Sequence, residues 1–161
     1  MKRLAIAAAA LIAMIAVAVV ATAIYMRTLE HPASAWHVDP AVIERGDRPN
    51  DYLVAPEGAT LAQPDRITDI RAIAARDLLF LFDSIAMNSR RTEHVAVDED
   101  SMTITYVQRS AFFGFPDYVS VKAVETSVGA GLILWSRSRF GHSDMGVNRD
   151  RVEAWLVALG D

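Results

Sequence analysis

The segment Ser136-Arg137-Ser138-Arg139-Phe140-Gly141-His142-Ser143-Asp144-Met145-Gly146-Val147-Asn148-Arg149 holds three arginines, three serines, a histidine, an aspartate and an asparagine. Guanidinium forks suit the planar oxygens of carboxylates and phosphates. If Arg137, Arg139 and Arg149 converge near the backbone N–H groups that open a following helix, the helix dipole adds to their pull on an anion. Ser143, Asp144 and Asn148 would complete such a ligand-binding corner. A second chemistry is hydrolysis through His142 and Asp144. Adjacent residues do not normally present nucleophile, base and orienter to one another, however, and no Gly-x-Ser-x-Gly elbow occurs. A metal held by His142, Asp144 and Asp117 lacks tight ligand spacing, so neither metal nor cofactor is expected. The third reading is a purely structural network of arginines and carboxylates with no ligand.

Four strand-like segments and two helices must position these residues. Residues 94–97, 102–109, 118–126 and 132–139 read as strands, separated by polar turns and by the aromatic loop 111–117. Short connections favour antiparallel neighbours, because parallel pairs need long crossovers. Ile67, Ile70, Ala74, Leu78, Leu81 and Ile85 recur at helical spacing, which predicts a helix from residue 67 to about residue 88, capped by Asp65 or Asp69. Val152, Trp155, Leu156 and Leu159 mark the inner face of a last helix, with Asn148 as its N-cap and Gly160 as its C-cap. The class is α+β: an antiparallel sheet of about four strands with a helix before and a helix after. Strand parity places Glu125 on one face with Val119, Val121 and Ala123, where an apolar residue is expected. A buried carboxylate needs a partner, so Glu125 is predicted to pair with Arg137 or Arg109. Arg109, Asp117 and Glu125 are the structural polar partners of the corner.

The N-terminus sets the location. Lys2 and Arg3 precede an apolar run over residues 4–25. As a helix that run spans about 33 Å, enough for a bilayer core of about 30 Å. Leu4 to Tyr25 is therefore the expected membrane contact, with the N-terminus in the cytoplasm and the body outside it. Ala21-Thr22-Ala23 also fits a signal-peptidase site, but the run exceeds the roughly 7–15 residues of a signal-peptide core. An uncleaved single-pass anchor in the inner (cytoplasmic) membrane is favoured. The division is residues 1–26 as anchor or signal, 27–47 as an extended spacer and strap, and 48–161 as a single α+β domain. Five of the six prolines (Pro32, Pro40, Pro49, Pro56, Pro64) lie between Arg27 and Arg66, which argues against long helices or central strands there. A net charge of −4 argues against nucleic acid, and the absence of cysteine excludes disulfides and thiol chemistry.

Three stretches in order resemble a known family. Arg48-Pro49-Asn50, then Gly114-Phe115-Pro116-Asp117, then Ser136-Arg137-Ser138-Arg139-x-Gly-x-Ser143-Asp144-x-Gly146-x-Asn148-Arg149 look like the domain-of-unknown-function family 1499. The resemblance spans roughly residues 48–159 and implies architecture and candidate positions, but no reaction. Many members of that family carry cysteine where Asp51 stands here. The expected function is a non-catalytic, membrane-anchored binding or assembly module of the bacterial envelope. Its partner would be an anionic small molecule or another envelope protein.

Overall fold

The computed structural model describes residues 1–160. Ten elements follow in order: α1 (Lys2–Thr28), α2 (Ala33–Trp36), β1 (Asp51–Ala55), β2 (Arg66–Ile67), α3 (Ala75–Asn88), β3 (Thr92–Asp98), β4 (Thr103–Arg109), β5 (Pro116–Thr126), β6 (Gly129–Ser138) and α4 (Val147–Leu159). The α+β class and the apolar helix at the N-terminus are as expected. The four expected strands form an antiparallel meander, β3 to β6, because each tight connection returns the chain beside itself.

The sheet differs from expectation in having six strands and mixed direction, in the order β2-β1-β6-β5-β4-β3. β1 lies antiparallel to β6, and the two-residue β2 lies parallel to β1. β1 was hidden because Pro49 and Pro56 bracket it and its five residues do not alternate. They have no need to, since Leu53, Val54 and Ala55 are all fully buried, on both faces of the sheet.

The first body helix also begins later than its spacing predicts, at Ala75 and not at Ile67. The N–H groups that a helix would need are already spent on the sheet: Thr68 donates to the Ala55 carbonyl and Arg71 to that of Ala130. Its inner face is Ala75, Leu78, Leu79, Phe82 and Ala86, one residue displaced from the expected stripe, and Leu81 is left 45% exposed.

α3 and α4 cover one face of the sheet. Phe82, Tyr106 and Trp155 pack edge-on or tilted there, with ring centroids 5.7–6.5 Å apart, around Val119, Val121 and Leu134. Burying each such large side chain contributes about 1.5–3 kcal/mol. The opposite face is covered by residues 29–46, which run as a strap over the sheet. Ile43 seals a smaller apolar cluster with Leu53, Ala55 and Ile133. Trp36 of α2 stacks on Tyr118 at 3.8 Å with the rings nearly parallel.

Candidate functional site

The polar residues of the sequence collect at one end of the sheet, where β4 ends, β5 begins and β6 runs out. Sheet parity divides them between the two faces. Asp117 pairs with Ser138 and Val119 with Ser136, so these four look toward the helices. Tyr118 pairs with Arg137, so these two look toward the strap.

On the helix side Asn148, fully buried, ties a knot. Its Oδ1 accepts from Ser136 Oγ at 2.6 Å and from Arg151 at 2.7 Å, while its Nδ2 donates to the Asn50 carbonyl and to Ser138 Oγ, each at 3.0 Å. Arg151 also donates to Gln108 Oε1 at 2.6 Å and ion-pairs with Asp117 at 2.7 Å, both side chains nearly dry. No buried side-chain polar atom among the described residues lacks a partner. Because Asn148 is inside the first turn, it is not the N-cap. Gly146, in the left-handed conformation at φ +86°, is the N-cap, and Asp144 just before it accepts from Gly146 N at 3.0 Å and Asn148 N at 2.8 Å. Burial alone would raise the Asp144 carboxyl, but those N–H groups outweigh it and hold the group below the usual carboxylate range.

On the strap side Arg137 is 8% exposed, with its guanidinium 4.1 Å from the Trp135 ring. It donates to the Trp36 carbonyl at 2.7 Å and to Ser120 Oγ at 3.1 Å, and no carboxylate among the described residues reaches ion-pair contact with it. Burial pulls its pKa down to about 10. Arg139 donates to the Glu30 carbonyl and to Tyr118 Oη. Arg109 donates to the Met26 carbonyl at 2.8 Å and to His31 Nε2 at 2.5 Å, and His31 Nδ1 lies 2.6 Å from Tyr118 Oη. Burial, then Arg109 and Arg139, lower the His31 pKa, in keeping with a neutral ring that accepts from Arg109.

The expected convergence of Arg137, Arg139 and Arg149 does not occur. The first two are spent under the strap, and Arg149 projects from α4 on the helix side of the motif. The expected Glu125–arginine pair is likewise absent. Register places Glu125 opposite Ala130, on the face away from Arg137, and its Oε2 accepts from Ala75 N at 2.8 Å, which caps α3. His142 is exposed and makes no hydrogen bond or ion pair with Asp144.

The structure does bring Arg149, Ser143 and Asp144 to the rim of an open cleft of about 960 Å³. The opposite rim is the chain from Arg45 to Asp51. Asp51, in the position that the family resemblance associates with cysteine, is held by Arg45 through two hydrogen bonds of 2.8 and 2.9 Å and by Trp135 Nε1 at 2.7 Å. Arg45 bridges on to Asp65 at 2.9 Å. Asp51, Asp65 and Arg45 thus satisfy one another, and Asp144 is occupied by backbone. The side chains of Arg48 and Arg149 make no hydrogen bond or ion pair among the described residues, and both residues are exposed. Arg45 and Arg151 escaped sequence reasoning, and Asp51 entered it only through the family resemblance. Only the spacing of Arg151 three residues after Asn148, one helical turn along, carried a signal.

No group of three or more metal-ligating side chains occurs among the described residues. No curated protein and no solved structure matches the chain. The stretches that suggested a family, Arg48-Pro49-Asn50 and the segment ending at Arg149, meet at this cleft and are joined by Asn148 to the Asn50 carbonyl. A family model described as a protein of unknown function, DUF1499, matches residues 33–159, from α2 to the end of α4, and the chain belongs to that family.

Proposed function

We propose that this protein is a non-catalytic binding module of the bacterial envelope, anchored by α1 in the cytoplasmic membrane with its body outside the cytoplasm. The cleft between residues 45–51 and 143–149 receives an anionic group, held by Arg48 and Arg149. One observation carries this reading: these two arginines, about a hundred residues apart in sequence, flank one cleft in which three of the four aspartates (Asp51, Asp65 and Asp144) are already held by Arg45 or by backbone N–H groups. Guanidinium groups left unspent beside a satisfied frame are suited to a carboxylate or phosphate from outside. Hydrolysis is disfavoured because the Asp144 oxygens accept from the Gly146 and Asn148 N–H groups, and no hydrogen bond joins Asp144 to His142. A purely structural role fits Arg151 and Asp117, which are sealed, but not the two open arginines.

The anchor is supported by the length of α1, whose mean hydropathy is 2.9 over its most apolar window, and by its basic N-terminal flank. The body also grips the end of α1, where Arg109 donates to the Met26 carbonyl at 2.8 Å. Complementation of a deletion strain tests the site, with folding checked by circular dichroism. Arg48→Ala and Arg149→Ala should abolish function in a folded protein, and His142→Ala should retain it. Loss confined to His142→Ala would overturn the binding reading in favour of the hydrolase. A mature start at Ile24 by mass spectrometry would overturn the anchor.

A further inference from the structure

The loop between β4 and β5 lies against the end of α1, and one side chain joins them. Arg27, in the last turn of α1, donates to the carbonyls of Phe112 at 2.8 Å, Phe113 at 3.3 Å and Ala111 at 3.4 Å. The same guanidinium turns back along its own helix to the Ala23 carbonyl at 3.0 Å. Helical side chains lean toward the N-terminus, so the guanidinium sits about one turn, or about 5–6 Å, below its own Cα. Ala23 lies inside the apolar run. The loop carbonyls therefore share the depth of the last apolar turn of α1, and do not stand clear above it.

Three further facts fit this placement. Phe112 is 70% exposed, and Phe112, Phe113, Phe115 and Phe140 form a continuous string of rings with centroids 4.8–6.1 Å apart. The loop closes on itself through Ser110, whose N–H donates to the Phe115 carbonyl and whose Oγ accepts from Phe115 N. Backbone entering an apolar layer must have its polar groups met from within, and Arg27 meets three of the exposed carbonyls. Gly114 is required at the contact: it has φ +77°, and a Cβ there would come within 2.8 Å of the Arg27 side chain.

We propose that this loop is a second membrane contact, immersed in the interfacial layer of the leaflet through which α1 emerges, with Phe112 as its apolar tip. Aromatic side chains on short amphipathic segments take this position at the boundary of headgroups and acyl chains. The inference rests on α1 remaining in the membrane as proposed above.

Because the chain has no cysteine, single labels can be placed without background. Phe112→Cys and Val128→Cys, made in the full chain and reconstituted in phosphatidylcholine/phosphatidylglycerol vesicles, would carry a nitroxide. Val128 is 71% exposed in the turn beyond the far end of β5, about 35 Å from the loop. At position 112 the ratio of collision with oxygen to collision with a water-soluble nickel chelate should exceed that at position 128 severalfold. Equal ratios in protein that resists carbonate extraction would overturn the loop contact and leave the anchor standing. A label at 112 shielded from both reagents would overturn it in favour of a protein partner. Release of the chain by carbonate would remove the anchor and this inference with it.

Discussion

Asp117 and Arg151 face each other at 2.7 Å with side chains 12% and 6% exposed, so removing either strands a charge in a dry place. Asp117→Ala in the full chain should lower unfolding free energy by about 3–5 kcal/mol, read by urea titration in detergent. Adding Arg151→Met should recover part of that loss, because the stranded cation goes too. Glu125 invites the opposite expectation. It is an exposed cap, so Glu125→Ala should cost only about 1 kcal/mol, and a loss as large as that of Asp117→Ala would refute the capping assignment. His31 supplies a pH dependence. Its folded pKa is lowered, so the unfolded chain binds the proton more readily. The stabilisation is complete above the ordinary value of 6.5 and fades as pH falls through 6.5 toward the folded value. Thermal midpoints measured from about pH 7.5 down to about pH 5.5 should fall less in His31→Gln than in the wild-type chain.

At the scale of elements, the parts legible in the sequence were those with a strong period or a strong turn. The meander could be read because each of its strands borders a polar or glycine-bearing connection, and α4 because Val152, Trp155 and Leu156 repeat over Gly160, which takes the left-handed C-cap at φ +85°. β1 could not, since a strand buried on both faces shows no alternation. The start of α3 could not, since its competitor was long-range pairing with Ala130. Within the site, the segment 136–149 was found but its geometry was not. Alternation told which residues share a face within one strand, whereas the fate of Glu125 and Arg137 depended on register between strands. The seam between β6 and the segment before α3 offers a test. Gly129 has φ +140°, and a Cβ there would lie 1.9 Å from the Arg71 carbonyl oxygen. Gly129→Ala should cost about 1–3 kcal/mol by forcing the two backbones apart, while Gly46→Ala, with open space around it, should cost little.

For the molecule as a whole, the strap makes the route from α1 part of the fold. Only Leu29 and Glu30 separate the end of α1 from His31, which is already bonded to Tyr118 and Arg109. The domain accordingly has almost no slack with respect to its helix. The cleft shares the end of the sheet from which the chain enters: Asp51 pairs with Arg137, which pairs with Tyr118, two residues into β5. Two strand spacings, or about 10 Å, separate it sideways from the loop that Arg27 grips. Electrostatic screening in physiological salt has a decay length of about 8 Å. With α1 in a bilayer, Arg48 and Arg149 would stand within a few such lengths of the headgroups and share their ionic atmosphere. Anionic lipid would then draw counterions to the mouth of the cleft and depress the concentration of any free anion there, so occupancy of the site would follow the lipid composition of the leaflet beneath it.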